Sequence, residues 1–374
     1  MDNGCRMDNG SNERLVSLDA LRGFDMLFIM GLSGLVVAVC AAFGFGDCFL
    51  VEQMRHVKWH GLTHHDTIFP LFLFIAGVAF PFSFAAQAAR GRTRAQICLK
   101  IFRRAVALVL LGAVYNGMLR DGFGGLRWAS VLGRIGLAWA GAGLLYVFCG
   151  VRTRLAVAAA ILVGYGLVLA LVPAPDAPPG ADPFSLEGNV VGWIDRRLLP
   201  GRLHLKTFDP EGLLSTLPAV VTAMLGTFCG ELIRSASPTG GRKAALMAAA
   251  AAVLALAAAL FAPVCPVNKS LWTPTFVLAA GAYSVAMLAL FYWVVDVKGW
   301  RRWTFPLRVV GMNAIAIYMM QGIFDFRKAA RFFFGGLSGA VPEAFGPVVL
   351  AAGYMAVCWL VLLFMYRKNA FLKV

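Results

Sequence analysis

The chain has 374 residues, of which 60% are hydrophobic and 14% charged, with a mean hydropathy of +0.74 and a formal net charge of +15. A soluble globule of that length needs far more surface charge, which excludes an ordinary water-soluble fold and makes lipid the expected solvent. The positive charge would suggest nucleic acid in a soluble protein. Here it lies in loops between apolar runs, so no nucleic-acid partner is expected.

A membrane-spanning helix needs roughly 20 mostly apolar residues. About ten runs approach that, at roughly 20–43, 67–88, 97–117, 129–149, 153–173, 211–234, 243–263, 271–294, 306–325 and 345–366. The expected fold is all-α, a polytopic integral membrane protein of about ten transmembrane helices. Residues 1–14 read as a tail, 15–374 as one transmembrane domain, and 174–210 as a long outer loop. Twenty of the 34 Lys and Arg fall in one set of alternate loops and tails, twelve in the other, and Arg22 and Arg134 lie within spans. By the positive-inside rule both termini are expected in the cytosol. The first apolar run is too long for a cleavable signal. The opening MDNGCRMDNG repeats itself, which makes Met7 an alternative start.

The first span carries Asp19, Arg22 and Asp25, and the i, i+3 spacing of Arg22 and Asp25 allows a pair on one helix face. Charge within a bilayer is costly and marks a structural pair or a functional site. RHVKWHGLTHHDTIFP, residues 55–70, then gathers four of the five histidines and Asp66 at the lip of the second span. His60 and His64 stand at the i, i+4 spacing that can hold zinc, but Gly61 interrupts them and no HExxH is present. No metal is expected. Arg134 sits several residues into the fourth span. The 174–210 loop starts as a PAPDAPPGADP linker and continues with the Trp, Ile and Leu of a packed cap. Asp209 and Glu211 open the sixth span, either as ordinary helix-end acids or as acceptors in a site. Residues 244–260 carry no chemistry. Asn268 and Lys269 lie in the turn before the eighth span, and Asn313 lies mid-span, where a buried amide needs partners. Eight cysteines form no CxxC pair; Cys48 and Cys265, both in outer loops, could pair in an oxidising compartment. With this topology, the histidine stretch walls a polar outer pocket with Asp66, Arg134, Asp209, Glu211, Asn268 and Lys269.

Several stretches in order, RLVSLDALRGFDM, HVKWHGLTHHDTIFPLFLFIAG, VLGRIGLAW, WIDRRLL, FDPEGLLST, PVNKSLWTPTF, VDVKG and GMNAIAIY, resemble the transmembrane part of the heparan-α-glucosaminide N-acetyltransferase family and its bacterial relatives. The resemblance runs from about Arg14 to the C-terminus. It implies transfer of an acetyl group from cytosolic acetyl-CoA, as co-substrate, to the amine of a glucosamine-type sugar or glycan across the membrane. In a bacterium that membrane would be the inner (plasma) membrane, and the acceptor would be periplasmic. A homodimer is the family-based expectation.

The family's catalytic histidine stands three residues before its Trp-x-Gly-Leu-Thr block, which is His56 here, and Asp66 matches a family aspartate. His60, His64 and His65 inherit no role, and Ser33 stands where the lysosomal enzyme has asparagine. Imidazole, with a reference pKa of ~6.5, suits deprotonation of an amine near neutral pH, with Asp66 holding the ring. Asn268 and Lys269 are candidate oxyanion donors. Arg134, Asp209, Glu211 and Asn313 are candidate acceptor-binding residues. Arg22, Arg103, Arg104, Lys298 and Arg301 are candidates for the CoA phosphates, although positive-inside bias alone also accounts for basic residues there. Direct transfer and an acetyl-His56 intermediate both fit the sequence, as do two other functions: an amino-sugar transporter and an O-acyltransferase of envelope glycans.

Overall fold

A computed structural model describes residues 15–372; the expected tail, 1–14, and Met7 lie outside them. The chain is an all-α polytopic membrane protein, and among the described residues eight helices are long and apolar enough to cross a bilayer. In chain order these are α1 (Val16–Ala42), α2 (His64–Ala89), α3 (Val131–Phe148), α4 (Val151–Leu171), α5 (Thr216–Arg234), α6 (Gly240–Phe261), α7 (Pro274–Val297) and α8 (Glu343–Arg367).

The two other apolar runs take different forms. The run at 97–117 overlaps a 22-residue helix, Arg94–Tyr115, that ends two residues before it does and whose first half carries Arg94, Lys100, Arg103 and Arg104. The run at 306–325 is broken into Phe305–Gly311 and Ala314–Ile323. Asn313 sits in the break, with φ −125° and ψ 28°, and both of its amide atoms are buried without a partner among the described residues.

Lipid gives helices no hydrophobic reason to associate, so small residues that let backbones approach set the packing. The α2–α5 pair shows this plainly. A β-carbon on Gly77 would lie 2.1 Å from the Ala223 carbonyl oxygen, and one on Gly226 would lie 2.1 Å from that of Phe74. The same device joins α1 to Phe305–Gly311, where a β-carbon on Gly23 would sit 1.8 Å from the Leu307 oxygen. α2 and α5 therefore form the centre of the bundle, whereas α1 and α8 bury only about a fifth of their apolar windows.

α1 is not regular. Its turn Phe28–Leu32 is π-wound, and Gly31 adopts φ +126°, a conformation that L side chains rarely take. This kink turns Ser33 toward the start of α2, where its hydroxyl lies 3.1 Å from His65 Nδ1.

Candidate active site

Asp66 occupies the third position of α2, and its two oxygens divide their work. Oδ2 accepts from the Thr63 backbone N–H (3.3 Å), the Thr63 hydroxyl (2.9 Å) and the Val57 N–H (3.2 Å). These contacts cap the helix and fold the 55–63 loop back over its end. Oδ1 meets His56 Nδ1 at 2.6 Å and Lys269 Nζ at 3.3 Å. Asp66 is 1% exposed and the His56 side chain 57% exposed. The carboxylate is thus fixed inside while the imidazole stands at the surface of the site.

The short contact to Asp66 assigns the Nδ1 proton: an ionised carboxylate only accepts, so Nδ1–H must donate. The lone pair of neutral His56 is then on Nε2, which makes no hydrogen bond among the described residues. Lys269 Nζ also lies 3.2 Å from Nδ1. With Nδ1 protonated, that proximity is a shared approach to Oδ1 rather than a hydrogen bond. Lys269 has three donors, so its bond to Asp66 leaves others for a reacting oxygen. Burial pushes the Lys269 ammonium below its ordinary range, opposed by Asp66.

The turn that presents Lys269 is built by its neighbours. Asn268 Oδ1 accepts from the Leu271 N–H at 2.9 Å, Thr273 Oγ1 accepts from the Asn268 N–H at 3.0 Å, and the Gly61 N–H reaches the Val267 carbonyl at 2.8 Å. Asn268 Nδ2 lies 3.3 Å from His60 Nδ1. Asn268 therefore shapes this loop with its oxygen and faces His60 with its nitrogen. Trp272 completes the turn in the left-handed region, φ 53°, where a bulky side chain is strained. It is held there by packing on Phe69 and Phe276 and by a 3.3 Å bond from its indole N–H to Thr222.

His64 and His65 are packed rather than open. The His65 ring lies 4.4 Å from that of His56 and bonds Ser33. His64 packs on Phe28 and Tyr283.

A second charge cluster lies beyond Trp59, which packs on Phe208 at 5.6 Å. Arg127 grips Asp209 in bidentate fashion, Nε to Oδ2 at 2.7 Å and Nη2 to Oδ1 at 2.6 Å, and also pairs with Glu211. Asp209 further accepts from the backbone N–H groups of His204 and Glu211. Burial disfavours both charges, but the pairing overrides it: Arg127 is held above the usual arginine range and Asp209 below the usual carboxylate range. Arg134, 2% exposed, bonds Ser215 and the Gly212 carbonyl and lies over the Trp272 ring at 5.0 Å. Asp195, fully buried, accepts from the Leu213 N–H at 2.9 Å, and burial pushes its carboxyl up to about 7.

The structure thus joins His56, Asp66, Lys269 and, one step removed, Asn268. It puts Asp209 and Glu211 in an adjoining cluster where their carboxylates face protein partners. Arg134 stands beside it, bonded through Nη2 but with Nε and Nη1 buried and without a partner among the described residues, and Asn313 is apart from both. Arg127 and Asp195 were not foreseen. Asp195 stands in the WIDRR stretch, which was legible as a motif; Arg127 is a lone loop arginine with no local signal.

Among the phosphate candidates, Arg22 and Arg104 line one cavity of about 360 Å³ together with Phe72, Ala79 and Met312. Arg22 meets Asp19 at 3.4 Å, so the i, i+3 pair forms toward Asp19 rather than Asp25. Arg104 stacks on Trp139 at 4.3 Å, and its buried Nε has no partner among the described residues. Arg103 is exposed, Lys298 lies over Trp293 at 5.3 Å, and Arg301 faces Asp296 at 3.8 Å. Cys48 and Cys265 are both free thiols.

Against proteins of known activity, the chain is 28% identical over 371 residues to heparan-alpha-glucosaminide N-acetyltransferase of Homo sapiens, and 27% over 374 residues to that of Mus musculus. The alignments cover 83% and 84% of this chain. The chain is similar to these acetyltransferases along most of its length. It spans about half the length of these relatives, 53% and 54%. No protein-family model matches it.

Proposed function

We propose that this membrane protein transfers an acetyl group from acetyl-CoA to the amine of a glucosamine-type sugar, with donor and acceptor on opposite sides of the bilayer. The observation that carries the reading is the His56–Asp66 pair at 2.6 Å. It leaves an exposed imidazole with Nε2 as base, beside an ammonium with spare donors.

In the step we infer, the acceptor ammonium gives a proton to His56 Nε2. The amine lone pair attacks the thioester carbonyl, and an N–C bond forms as the C–S bond breaks. His56 returns its proton to the departing thiolate, and the amide nitrogen releases its second proton to solvent. Asp66 keeps the ring in the productive tautomer and stabilises the imidazolium, and Lys269 faces the oxyanion. The Arg22 and Arg104 cavity, with an unsatisfied guanidinium nitrogen in its wall, supports binding of the CoA phosphates at the end we assign to the cytosol. Asp209 and Glu211 support the acceptor side indirectly, by holding the cap with Arg127.

The test is incubation of purified protein with acetyl-CoA and glucosamine, following free thiol and the acetylated product by mass spectrometry. Thiol release that depends on the sugar, with an N-acetyl product, is expected. Sugar uptake into proteoliposomes without acetyl-CoA and without thiol release would instead indicate a transporter, and an O-acetyl product would move the activity to hydroxyl acceptors.

A further inference from the structure

Next to His64 and His65, the kink in α1 opens a groove against α8 and the amphipathic helix Phe326–Ala340. The groove holds about 420 Å³ and is walled by Phe28, Gly34, Leu350 and Ala351, with Arg327 and Arg331 along one side. A second chamber of about 580 Å³ adjoins it, sharing Ile29, Arg327 and Tyr354, and adds Gln321 and Asp325. One space is apolar and the other polar, with Arg327 common to both. Such a pair fits an amphiphile, with its tail in the first and its head at the arginines.

Three observations narrow the class. First, Arg327 and Arg331 are one helical turn apart, and neither forms a salt bridge among the described residues; Asp325, the nearby acid, faces Lys328 at 3.8 Å. Second, the same helix exposes Phe332, Phe333 and Leu337. Cationic residues beside exposed aromatic and aliphatic ones are the composition of a helix lying in the membrane interface. Third, α1 and α8, which form the groove's walls, are among the least buried spans, so the groove is reached from lipid.

We propose that this groove is a binding site for an anionic phospholipid, its phosphate held between Arg327 and Arg331 and one acyl chain lying along Gly34. Paired guanidinium groups match phosphate oxygens in geometry as well as charge. The site is independent of the acetyltransferase reading and stands or falls separately.

The test is native mass spectrometry of the detergent-solubilised protein titrated with phosphatidylglycerol, phosphatidylcholine of the same chains, or sodium phosphate. Wild type should bind one phosphatidylglycerol at least tenfold more tightly than phosphatidylcholine. Replacing both arginines, Arg327→Gln with Arg331→Gln, should remove that preference. Both side chains are exposed, so the double variant should fold. Gly34→Leu fills the groove from a position where a β-carbon meets nothing within 4 Å. It should weaken phosphatidylglycerol at least tenfold with the arginines intact. Equal affinity for the two lipids, unchanged binding in the double variant, or saturation of the site by sodium phosphate alone would overturn the proposal.

Discussion

The His56–Asp66–Lys269 and Arg127–Asp209–Glu211 clusters are made of similar parts: a buried carboxylate gripped by nitrogen donors at the same end of the bundle. They are finished differently. In the second, both Asp209 oxygens accept from Arg127 and from backbone N–H groups, and Arg127 gives the other Nη2 hydrogen to Glu211. In the first, Asp66 is equally satisfied, but its partner His56 keeps one ring nitrogen and more than half its surface open. A charge cluster whose buried carboxylate and guanidinium neutralise each other holds structure. One that ends on an unengaged titratable group has something left with which to react.

The strongest break of this comparison is predicted at Arg127. Arg127→Ala leaves a buried Asp209 charge unpaired, and breaking such a pair costs about 3–5 kcal/mol. The thermal midpoint of the detergent-solubilised protein should fall by several degrees, and any activity lost should track the unfolded fraction. An unchanged midpoint with lost turnover would move this cluster into the chemistry.

Asp66→Asn probes the opposite cluster and is expected to cost about 10²-fold in kcat/KM, because the amide no longer fixes the Nδ1–H tautomer. Its oxygen can still cap α2, so the thermal midpoint should move little. A large loss of stability with normal turnover in the folded fraction would reduce Asp66 to a cap.

The effect at Asp195 depends on pH. Its folded-state pKa, about 7, lies above the ~3.9 of an unfolded aspartate. The folded chain therefore binds more protons than the unfolded one between those values, and this group's contribution to stability falls as pH rises through that window. Asp195→Asn should flatten the fall in thermal midpoint between pH 4 and 7 and make the variant the more stable at pH 8. A parallel displacement at every pH would contradict the assignment.

The smallest effect is expected at His65, which touches His56 from the side and bonds Ser33. His65→Ala should change kcat by less than about tenfold, because general-base loss is the far larger class of effect.

How far the sequence reaches is visible at Asp66. Its position allowed a helix cap or a partner for His56, and the structure gives one oxygen to each. Residue type and spacing placed the group, but only the path of the 55–63 loop decides which oxygen faces which donor. Asn268 shows the same limit. A donor was legible there, yet its carbonyl oxygen is used in closing the turn at Leu271, and turn geometry is not written in composition. Apolar length marked the long helices well, because hydrocarbon thickness sets it. It did not show the break at Asn313 or the π turn at Gly31, where local backbone geometry decides. Arg127 was hidden because its partners are about 80 residues away in sequence.

The central claim is that His56 is the base of an acetyl transfer, and it is tested most directly by the rate of glucosamine-dependent thiol release from acetyl-CoA in purified His56→Ala protein of wild-type thermal midpoint. The account predicts a loss of at least about 10²-fold, with His64→Ala retaining substantial activity. Turnover of His56→Ala at the wild-type rate would contradict it.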